Sequence, residues 1–457
     1  FMGNEDITSS SNHFQGASIG REVITVGISE VNKSLKWQLP PSKSHAIRAL
    51  FLASQGEKIT TISGVANCGK DVKSMKSCLI QLGVKIESID SNGQIIQHED
   101  FGNASEISSY RVYGVGKNGF SEPKDCLDVG NSGTALRLIA VLCSRFTFKV
   151  CIDGDETLRE RNTQVLWDSI KQSGVNISFT NVENRLPVEM TGPWFKDSKN
   201  EIELDVSRSS QPLSAWMLAS SGLNQDVIII RRGIPVSNRH WELSYRMCNQ
   251  YGSNIIIDGK NIELSPHVLE LPDVIEIPRD ASMASFAMLA SSCLNHEVEL
   301  IGWPDEEDSI GHEILKSESS SLGISWVKET LVSNVETHSI EVDITNCNDL
   351  ITPLSVMMAI GGGGVITGAS HASFKESNRI RSTQLLLQSF GMDCVINSDG
   401  ITIQGNQKPS TPDAIIDSFG DHRIFMSAYI LACKVGAKIR GRGLHLIADE
   451  LFIDRLS

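Results

Sequence analysis

The sequence predicts an α/β protein of two similar domains, each with three helix-and-strand repeats whose helices are buried inside their sheets. Polar segments that start a helix recur six times at intervals of roughly 70 to 90 residues, and such a fixed period indicates a structural repeat. Helices that follow some of these starts are apolar on every face, which is typical of buried helices. The starts are Ser42, Gly130, Ser207, Arg279, Asn348 and Gly420.

A second helix in each repeat is predicted to end at a glycine and lead into a strand. Glycine after the last turn is a common helix stop, because it adopts the left-handed conformation without strain. These helix ends lie in the segments 81–86, 172–177, 250–255, 321–324 and 389–392. The tail 450–456 would supply the sixth second helix. A strand near 24–28 would join the C-terminal half.

We expect an N-terminal domain over 42–278 and a C-terminal domain built from 23–41 together with 279–457. The chain would then cross between the domains twice, near Pro41 and Pro278. Two adjacent crossings form a hinge. Residues 1–22 are polar, and we expect them to be a leader that is disordered or was introduced for expression.

The first repeat opens with the segment 39–50, Leu-Pro-Pro-Ser-Lys-Ser-His-Ala-Ile-Arg-Ala-Leu. Ser42 or Ser44 can cap the helix that begins here. Lys43 and Arg48 add positive charge to a helix end that already carries the positive pole of the helix dipole. The segment therefore indicates an anion site. For this segment alone, two solvated basic residues are the alternative.

Arg137 is the only charged residue in the apolar helix predicted around 135–143. A cation in the first turns of a buried helix is explained by an anionic ligand. An ion pair with an internal carboxylate is the alternative.

The composition argues against several classes of function. The chain of 457 residues has a net charge of −14, which disfavours general binding to nucleic acid or to an acidic membrane. It has no apolar run of the roughly 18 residues that span a membrane, and no secretory signal, so we expect a cytoplasmic protein. The ten cysteines lack Cys-x-x-Cys spacing. We expect them to be reduced and buried, and we expect no metal.

The segment 64–70, Gly-Val-Ala-Asn-Cys-Gly-Lys, is close to a phosphate-binding loop of nucleotide enzymes. The next residue is Asp71, where such a loop needs a serine or threonine for magnesium. A carboxylate there would repel nucleotide phosphates, so we interpret Asp71 as a helix N-cap.

The segment 375–379, Lys-Glu-Ser-Asn-Arg, combines two cations with a carboxylate. If a helix opens here, Lys375 and Arg379 share one face, and Glu376 beside them is a candidate proton carrier. A solvated helix face is the alternative for this segment taken alone.

The segment 421–423, Asp-His-Arg, starts another apolar helix. Arg423 can bind a carboxylate through two parallel hydrogen bonds. Asp421 could hold the ring of His422.

In type and order, these segments resemble the motifs of the enolpyruvyl transferases. The similarity runs from about Val23 onward and is closest to the members that act on shikimate 3-phosphate. The motifs are Pro-Ser-Lys-Ser at 41–44, Gly-Asn-Ser-Gly-Thr-Ala-Leu-Arg at 130–137, Leu-Arg-Glu-Arg at 158–161, Ser-Ser-Gln at 209–211, Asp349, Lys-Glu-Ser-Asn-Arg at 375–379 and Gly-Asp-His-Arg at 420–423.

The resemblance implies two inside-out α/β domains that close on two small anions, phosphoenolpyruvate and shikimate 3-phosphate. The enolpyruvyl group would pass to the 5-hydroxyl of shikimate 3-phosphate through a tetrahedral intermediate, with release of phosphate. It implies no cofactor, no metal, no nucleic-acid or membrane partner, and a monomer.

The resemblance also assigns site residues by motif. Catalysis would fall to Asp349, Glu376 and Lys43. Phosphoenolpyruvate would lie against Lys43, Asn131, Gly133, Thr134, Arg161, Gln211, Arg379, His422 and Arg423. The acceptor would lie against Lys43, Ser44, Arg48, Ser209, Ser210, Gln211, Ser237, Asp349, His371 and Lys375.

This sequence departs from the family pattern at several motif positions, and most of the donor-side set is kept while part of the acceptor side has drifted. An alternative is therefore a relative that acts on another phosphorylated alcohol, such as the nucleotide UMP. An inactive binding relative and a nucleic-acid end-processing protein on the related fold are further alternatives. The departures are Pro41, Asn162, Asn378, His240, His371 and the segment 446–450, which replaces a terminal Ser-Phe-Pro.

Overall fold

The computed structural model describes residues 20–97 and 107–457, so most of the predicted leader lies outside the described residues. Within these ranges the strands form six small sheets, one for each predicted repeat. The predicted α/β class, with two similar domains of three repeats and buried helices, is confirmed.

In the N-terminal repeats, a strand, an inner helix and a parallel second strand are followed by outer helical structure and a second pair of strands. Two strands precede them, β1 (Val23–Val26) and β2 (Ser34–Gln38). The elements of these repeats are α1 (Lys43–Gln55), β3 (Ile59–Ser63), α2 (Lys70–Gln81), β4 (Lys85–Asp90), β5 (Ile107–Tyr113), β6 (Leu127–Asp128), α3 (Gly133–Cys143), β7 (Lys149–Asp153), α4 (Glu156–Glu160), α5 (Gln164–Gln172), β8 (Asn176–Phe179), β9 (Val188–Thr191), β10 (Glu201–Asp205), α6 (Gln211–Ala219), β11 (Val227–Arg232), α7 (Asn238–Gln250), β12 (Ile256–Asp258), β13 (Asn261–Leu264) and β14 (Val274–Glu276).

The C-terminal repeats follow a similar plan. Their elements are α8 (Ala284–Leu294), β15 (Glu297–Ile301), α9 (Ile314–Glu318), β16 (Ile324–Val327), β17 (Thr330–Ser333), β18 (Ile340–Asp343), α10 (Ile351–Ile360), β19 (Gly363–Thr367), α11 (Arg379–Ser389), β20 (Val395–Asn397), β21 (Gly400–Gln404), β22 (Ile416–Asp417), α12 (His422–Val435), β23 (Ala437–Arg440) and α13 (Phe452–Leu456). The last of these is the helix predicted in the tail.

Strand exchange between distant parts of the chain completes three of the sheets. Strand β14 pairs in parallel with β3 of the first repeat, and β2 pairs in parallel with β15 of the fourth. Strand β1 pairs with β23 of the sixth repeat, as predicted for the strand near its position. Each half is therefore closed by strands from both of its ends.

The two chain crossings lie side by side and are hydrogen-bonded to each other. The N–H of Ser42 donates to the carbonyl of Pro278 at 2.8 Å, and the N–H of Asp280 donates to the carbonyl of Pro40 at 2.8 Å. These bonds place the start of α1 directly at the predicted hinge.

The first helix of each repeat lies at the centre of its half. Helices α1, α3 and α6 pack together, as do α8, α10 and α12, and their all-round apolar surfaces are buried. One apolar cluster is drawn from 46–277 with Ile310, and the other from 26–39 and 283–456. The domain boundaries stay a prediction, which these clusters support. No helix in the described ranges is long and apolar enough to cross a membrane.

Helix starts agree with the sequence at some positions and differ at others. Ser42 caps α1 by accepting from the N–H of His45, as predicted. The Asp71 prediction is wrong, because Gly69 precedes α2 and the side chain of Asp71 does not cap it. The conditional helix over 375–379 is also wrong. Asn378 caps α11 at Arg379, which leaves the first four residues of that segment outside the helix.

The prediction that all cysteines are reduced is wrong for one pair. Cys126 and Cys151 form a disulfide. Strands β6 and β7 run parallel with Leu127 opposite Ile152, so the two preceding residues become neighbours despite their separation in sequence. The other eight cysteines are free and buried, as expected.

Candidate active site

A cleft of about 730 Å³ brings together residues from both halves of the molecule. Most of the residues named by the sequence line it directly. These are Lys43, Ser44, Gly133, Thr134, Arg161, Ser209, Ser210, Gln211, Ser237, Asp349, His371, Lys375 and Glu376. The others, Arg48, Asn131, Arg379, His422 and Arg423, are not among the lining residues, and four of them are buried.

Three inner helices present their first residues to this cleft. Lys43 begins α1, Gly133 begins α3 and Gln211 begins α6, and all three line the wall. Free backbone N–H groups and the positive pole of the dipole make each helix start favourable for negative charge. The fold therefore aims three such ends at one space, which suits a small anion.

Gly133 lets two guanidinium groups meet at the start of α3. A Cβ atom placed on this residue would lie 2.7 Å from Nη1 of Arg137 and 3.2 Å from Nη1 of Arg161. Arg137 donates to the carbonyl of Gly133 at 2.6 Å, and Nε of each arginine lacks a partner in the described residues. Burial, followed by the neighbouring Arg161, lowers the pKa of Arg137 to about 10. Since no ion pair of Arg137 with a carboxylate occurs in the described chain, the geometry favours an anionic ligand.

Arg161 is held in place by Asn131. Arg161 Nη2 donates to Asn131 Oδ1 at 3.3 Å, and Asn131 Nδ2 donates to Asp155 Oδ2 at 2.7 Å and to Thr157. Asn131 thus connects the guanidinium to the loop that starts α4.

The Arg379 guanidinium is the centre of a carboxylate cluster. Its Nη1 donates to Asp349 Oδ1 at 2.7 Å, its Nε donates to Asp421 Oδ2 at 2.8 Å, and its Nη2 donates to Glu376. Arg423 lies next to this cluster, with Nη2 3.9 Å from Asp349 Oδ2. One buried cation therefore holds three carboxylates, two of which line the cleft.

Both cleft carboxylates are ionised in this arrangement. Burial opposes the charge on Asp349, but Arg423, then Lys375 and Arg379, outweigh it and hold its pKa well below the usual range. Burial likewise opposes the charge on Glu376, and Arg379 foremost holds its pKa well below normal. Each carboxylate is therefore in its charged form and can accept a proton, but as a weak base until a ligand's charge raises its pKa.

His422 is neutral and is not held by Asp421, contrary to the sequence prediction. Burial, and next the charge of Lys43, lowers the pKa of His422 well below its usual value, and neither ring nitrogen has a partner in the described residues. Asp421 instead accepts hydrogen bonds from Arg379, Ser377 and the N–H of Arg423.

Arg48 is a buried cation bound by neutral groups. It donates to Ser244 Oγ at 2.8 Å, to the carbonyl of Ser44 at 2.9 Å and to the carbonyl of His240 at 3.3 Å. Burial lowers its pKa to about 10. A carboxylate from a ligand would restore the missing opposite charge.

Two neutral histidines line the same part of the cleft. Burial, then Lys375, lowers the pKa of His371 to about 4, and burial, then Arg48, lowers that of His240 well below normal. His371 Nε2 and His240 Nδ1 lack partners in the described residues. Both can therefore exchange hydrogen bonds with ligand hydroxyl groups.

The sequence missed two features of the cleft. Asp71 lines it and forms an ion pair with Lys43, although α1 and α2 offer no sequence signal that connects these residues. Arg208 and Phe374, one from each half, also line the cleft and meet in a cation–π contact at 5.5 Å. Only the folded chain brings these pairs together.

Comparison with known proteins identifies the family. The sequence profile described as EPSP synthase (3-phosphoshikimate 1-carboxyvinyltransferase) matches residues 26–449. This chain belongs to the EPSP synthase family.

Relatives in the family agree with this assignment. The chain is 31% identical over 380 residues to the 3-phosphoshikimate 1-carboxyvinyltransferase of Syntrophomonas wolfei subsp. wolfei, with 79% of this chain and 82% of the relative covered. It is 30% identical over 421 residues to that of Caldicellulosiruptor saccharolyticus, with 88% and 90% covered.

Solved structures share the fold. EPSP synthase from Acinetobacter baumannii superposes with a TM-score of 0.70 at 24% identity, over 94% of this chain and 97% of the other. The enolpyruvyl transferase NikO from Streptomyces tendae gives 0.67 at 11% identity, over 95% and 96%.

Proposed function

We propose that this enzyme transfers the enolpyruvyl group of phosphoenolpyruvate to the 5-hydroxyl of shikimate 3-phosphate and releases phosphate. The observation that carries the proposal is the cleft itself, where helix starts and cations surround two ionised carboxylates. The names of the relatives support the choice of acceptor.

On the donor side, we assign the phosphate and carboxylate of phosphoenolpyruvate to the cations around Gly133. Arg137 and Arg161 approach this glycine from one side, and Lys43 lies on the wall of the same cleft. These groups stabilise the negative charge that moves onto the leaving phosphate. We assign six further residues to the same end, where most of them hold the residues that contact the donor in place. These are Asn131, Thr134, Gln211, Arg379, His422 and Arg423.

On the acceptor side, Arg48 would bind the carboxylate and the serines would bind the phosphate. Ser210 Oγ donates to the carbonyl of Ser237 at 3.2 Å, and Ser209 Oγ accepts from the N–H of Gln211 at 3.2 Å, so Ser209 and Ser210 lie at the start of α6 with Ser237 next to Ser210. Ser44, His371 and Lys375 complete this end.

The reaction needs a base and an acid. Asp349, ionised in the cleft, would take the proton of the 5-hydroxyl as its oxygen attacks C2 of the donor. Glu376 would deliver a proton to C3 and remove it when phosphate leaves. Delivery requires protonated Glu376, and the negative charge of the bound donor would raise its pKa. The hydroxyl proton held by Asp349 would pass to the bridging oxygen of the phosphate as the C2–O bond breaks, so each proton has a source and a destination.

Oligomeric state and compartment are part of the proposal. We propose a cytoplasmic monomer. The eight free cysteines support a reducing compartment, whereas the Cys126–Cys151 disulfide argues for an oxidising one. Light scattering tests whether the protein is a monomer. Thiol titration of protein purified under anaerobic conditions tests whether Cys126 and Cys151 are reduced, as a reducing compartment requires.

Phosphate release tests the reaction. The full chain is mixed with phosphoenolpyruvate and either shikimate 3-phosphate or UMP, and the product is identified by mass. With shikimate 3-phosphate we expect one phosphate released for each carboxyvinyl ether formed, and with UMP we expect neither product. Release with UMP and none with shikimate 3-phosphate would overturn the proposal.

A further inference from the structure

Asp71 is a buried carboxylate in the wall of the cleft. It is the second residue of α2, and only 6% of it is exposed. Its Oδ2 lies 3.0 Å from Nζ of Lys43, whose side chain is 19% exposed. The contact joins α2 to the first residue of α1 across 28 residues of sequence.

A carboxylate in an anion-binding site weakens ligand binding unless it also stabilises a cation that binds the ligand. By itself, the negative charge of Asp71 repels a donor that carries a phosphate and a carboxylate. Its charge is instead directed at Lys43. An ammonium group has three donors, and Asp71 occupies one of them, so two remain for a ligand.

The charges around Lys43 make Asp71 its main anionic partner. Burial lowers the pKa of Lys43, but Asp71 foremost, followed by Glu376, reverses this and raises it above the usual value. The groups that face Lys43 from the surrounding elements are Asp71 on α2, Asp349 in the turn before α10, Glu376 in the loop before α11, and His422 and Arg423 on α12. Burial raises the pKa of Asp71, and the charges of Lys43 and Arg161 oppose this rise.

The start of α2 is also anchored on its other side. A Cβ atom on Gly69 would lie 2.4 Å from the carbonyl oxygen of Ile447, which shows a close backbone approach. Lys73 and Glu450 form an ion pair at 2.7 Å. The C-terminal segment thus holds the start of α2 in place, and with it the Asp71 carboxylate that pairs with Lys43.

We propose that Asp71 is a positioning residue for the donor site, which holds the Lys43 ammonium charged and pointed into the cleft before phosphoenolpyruvate binds. The inference rests on the proposed function, because it assigns Lys43 to that donor. Asp71 acts through Lys43.

Two variants and a control test the contact. Asp71→Asn keeps the shape and removes the charge, Asp71→Glu keeps the charge, and Glu183→Gln removes a carboxylate from the exposed ion pair with Lys171. Phosphoenolpyruvate is titrated into each full-length protein by calorimetry, with and without shikimate 3-phosphate. For Asp71→Asn we expect donor affinity to fall roughly 10- to 100-fold, the range for a charged hydrogen bond. Asp71→Glu should recover most of it, and Glu183→Gln should match the parent.

The pH dependence and a double-mutant cycle separate positioning from a structural role. Without Asp71 the pKa of Lys43 falls, so the alkaline loss of donor affinity should move to lower pH in Asp71→Asn. In a Lys43→Met background, Asp71→Asn should cause no further loss of affinity. An unmoved alkaline limb, or additive losses, would overturn the inference.

The donor titration also distinguishes this inference from the function. If the parent binds phosphoenolpyruvate but releases no phosphate with shikimate 3-phosphate, the proposed function fails and the Asp71 test still stands. If Asp71→Asn does not fold, the pH profile of donor binding by Asp71→Glu decides. A profile unchanged from the parent supports the contact, and loss of donor binding with normal folding contradicts it.

Discussion

Replacing Arg379 by lysine should separate the three carboxylates that one guanidinium holds together. Arg379 is 1% exposed and reaches Asp349 at 2.7 Å, Asp421 at 2.8 Å, and Glu376. A lysine has one compact ammonium group and cannot reproduce this planar fork. We therefore expect Arg379→Lys to leave at least one buried carboxylate without a cation.

The size of the effect follows from the number of bonds lost. Hydrogen bonds to charged groups contribute about 1.5–3 kcal/mol each, so the loss of two would cost about 3–6 kcal/mol. An unpaired carboxyl group can instead take up a proton, which costs about 1.4 kcal/mol for each pH unit above its ordinary pKa and limits the penalty to ~4 kcal/mol for one group at pH 7. We expect the free energy of unfolding to fall by about 3–4 kcal/mol at pH 7.

The penalty should depend on pH. In the parent, the pKa values of Asp349 and Glu376 are depressed, so their contribution to stability is present above their unfolded values and is lost only at strongly acid pH. In Arg379→Lys, a buried carboxylate that has lost its partner has a raised pKa and loses stability as the pH rises. The difference between the two proteins should therefore be larger at pH 8 than at pH 5.5.

Urea unfolding at pH 5.5 and pH 8 measures this difference. Arg381→Lys, on the exposed side of the same helix, is the matched control and should change stability by less than ~0.5 kcal/mol. A loss of equal size at both pH values, or one below ~1 kcal/mol, would refute the assignment of Arg379 as the cation that keeps these carboxylates ionised.

Three further substitutions test the ends of the cleft by steady-state kinetics. Gly133→Ala places a methyl group 2.7 Å from Arg137 and 3.2 Å from Arg161. The KM for phosphoenolpyruvate should therefore rise about tenfold while the KM for the acceptor stays unchanged. An unchanged KM for phosphoenolpyruvate would contradict this. Arg48→Met should raise the KM for the acceptor at least about tenfold. The free energy of unfolding should fall little, since the guanidinium has no carboxylate partner in the described residues. A larger effect on the KM for phosphoenolpyruvate would place Arg48 at the donor end of the cleft. Glu376→Gln should lower kcat by roughly 10²- to 10⁴-fold and leave the donor Kd, from calorimetry, nearly unchanged; near-normal turnover would remove it from the proton transfers.

The repeats were predictable because their signals are local. The five glycines that follow second helices, such as Gly83 and Gly174, all have positive φ, as a helix stop requires. The apolar inner helices, such as α10, are buried on every side, as their composition indicates. In these cases the information lies within one turn of the residue concerned.

The remaining features depend on contacts between distant segments. Whether Asp71 caps its helix or meets Lys43 depends on how α1 and α2 pack, and the sequence contains no local signal for that choice. The same holds for Asp421, whose side chain accepts from Arg379 of another repeat and leaves the ring of the adjacent His422 without a partner in the described residues. The Cys126–Cys151 disulfide follows from the parallel register of β6 and β7, and β6 has only two residues, too few for the sequence to reveal that register.

A crystal structure of Glu376→Gln with phosphoenolpyruvate and shikimate 3-phosphate tests the central claim most directly, since slow turnover should retain both ligands. We predict that the donor lies between Lys43 and Arg161 from one half and the Asp349–Arg379 cluster from the other, with the carboxylate of the acceptor on Arg48. Density for the donor that contacts one half alone, or an acceptor that lies away from Arg48, would contradict it.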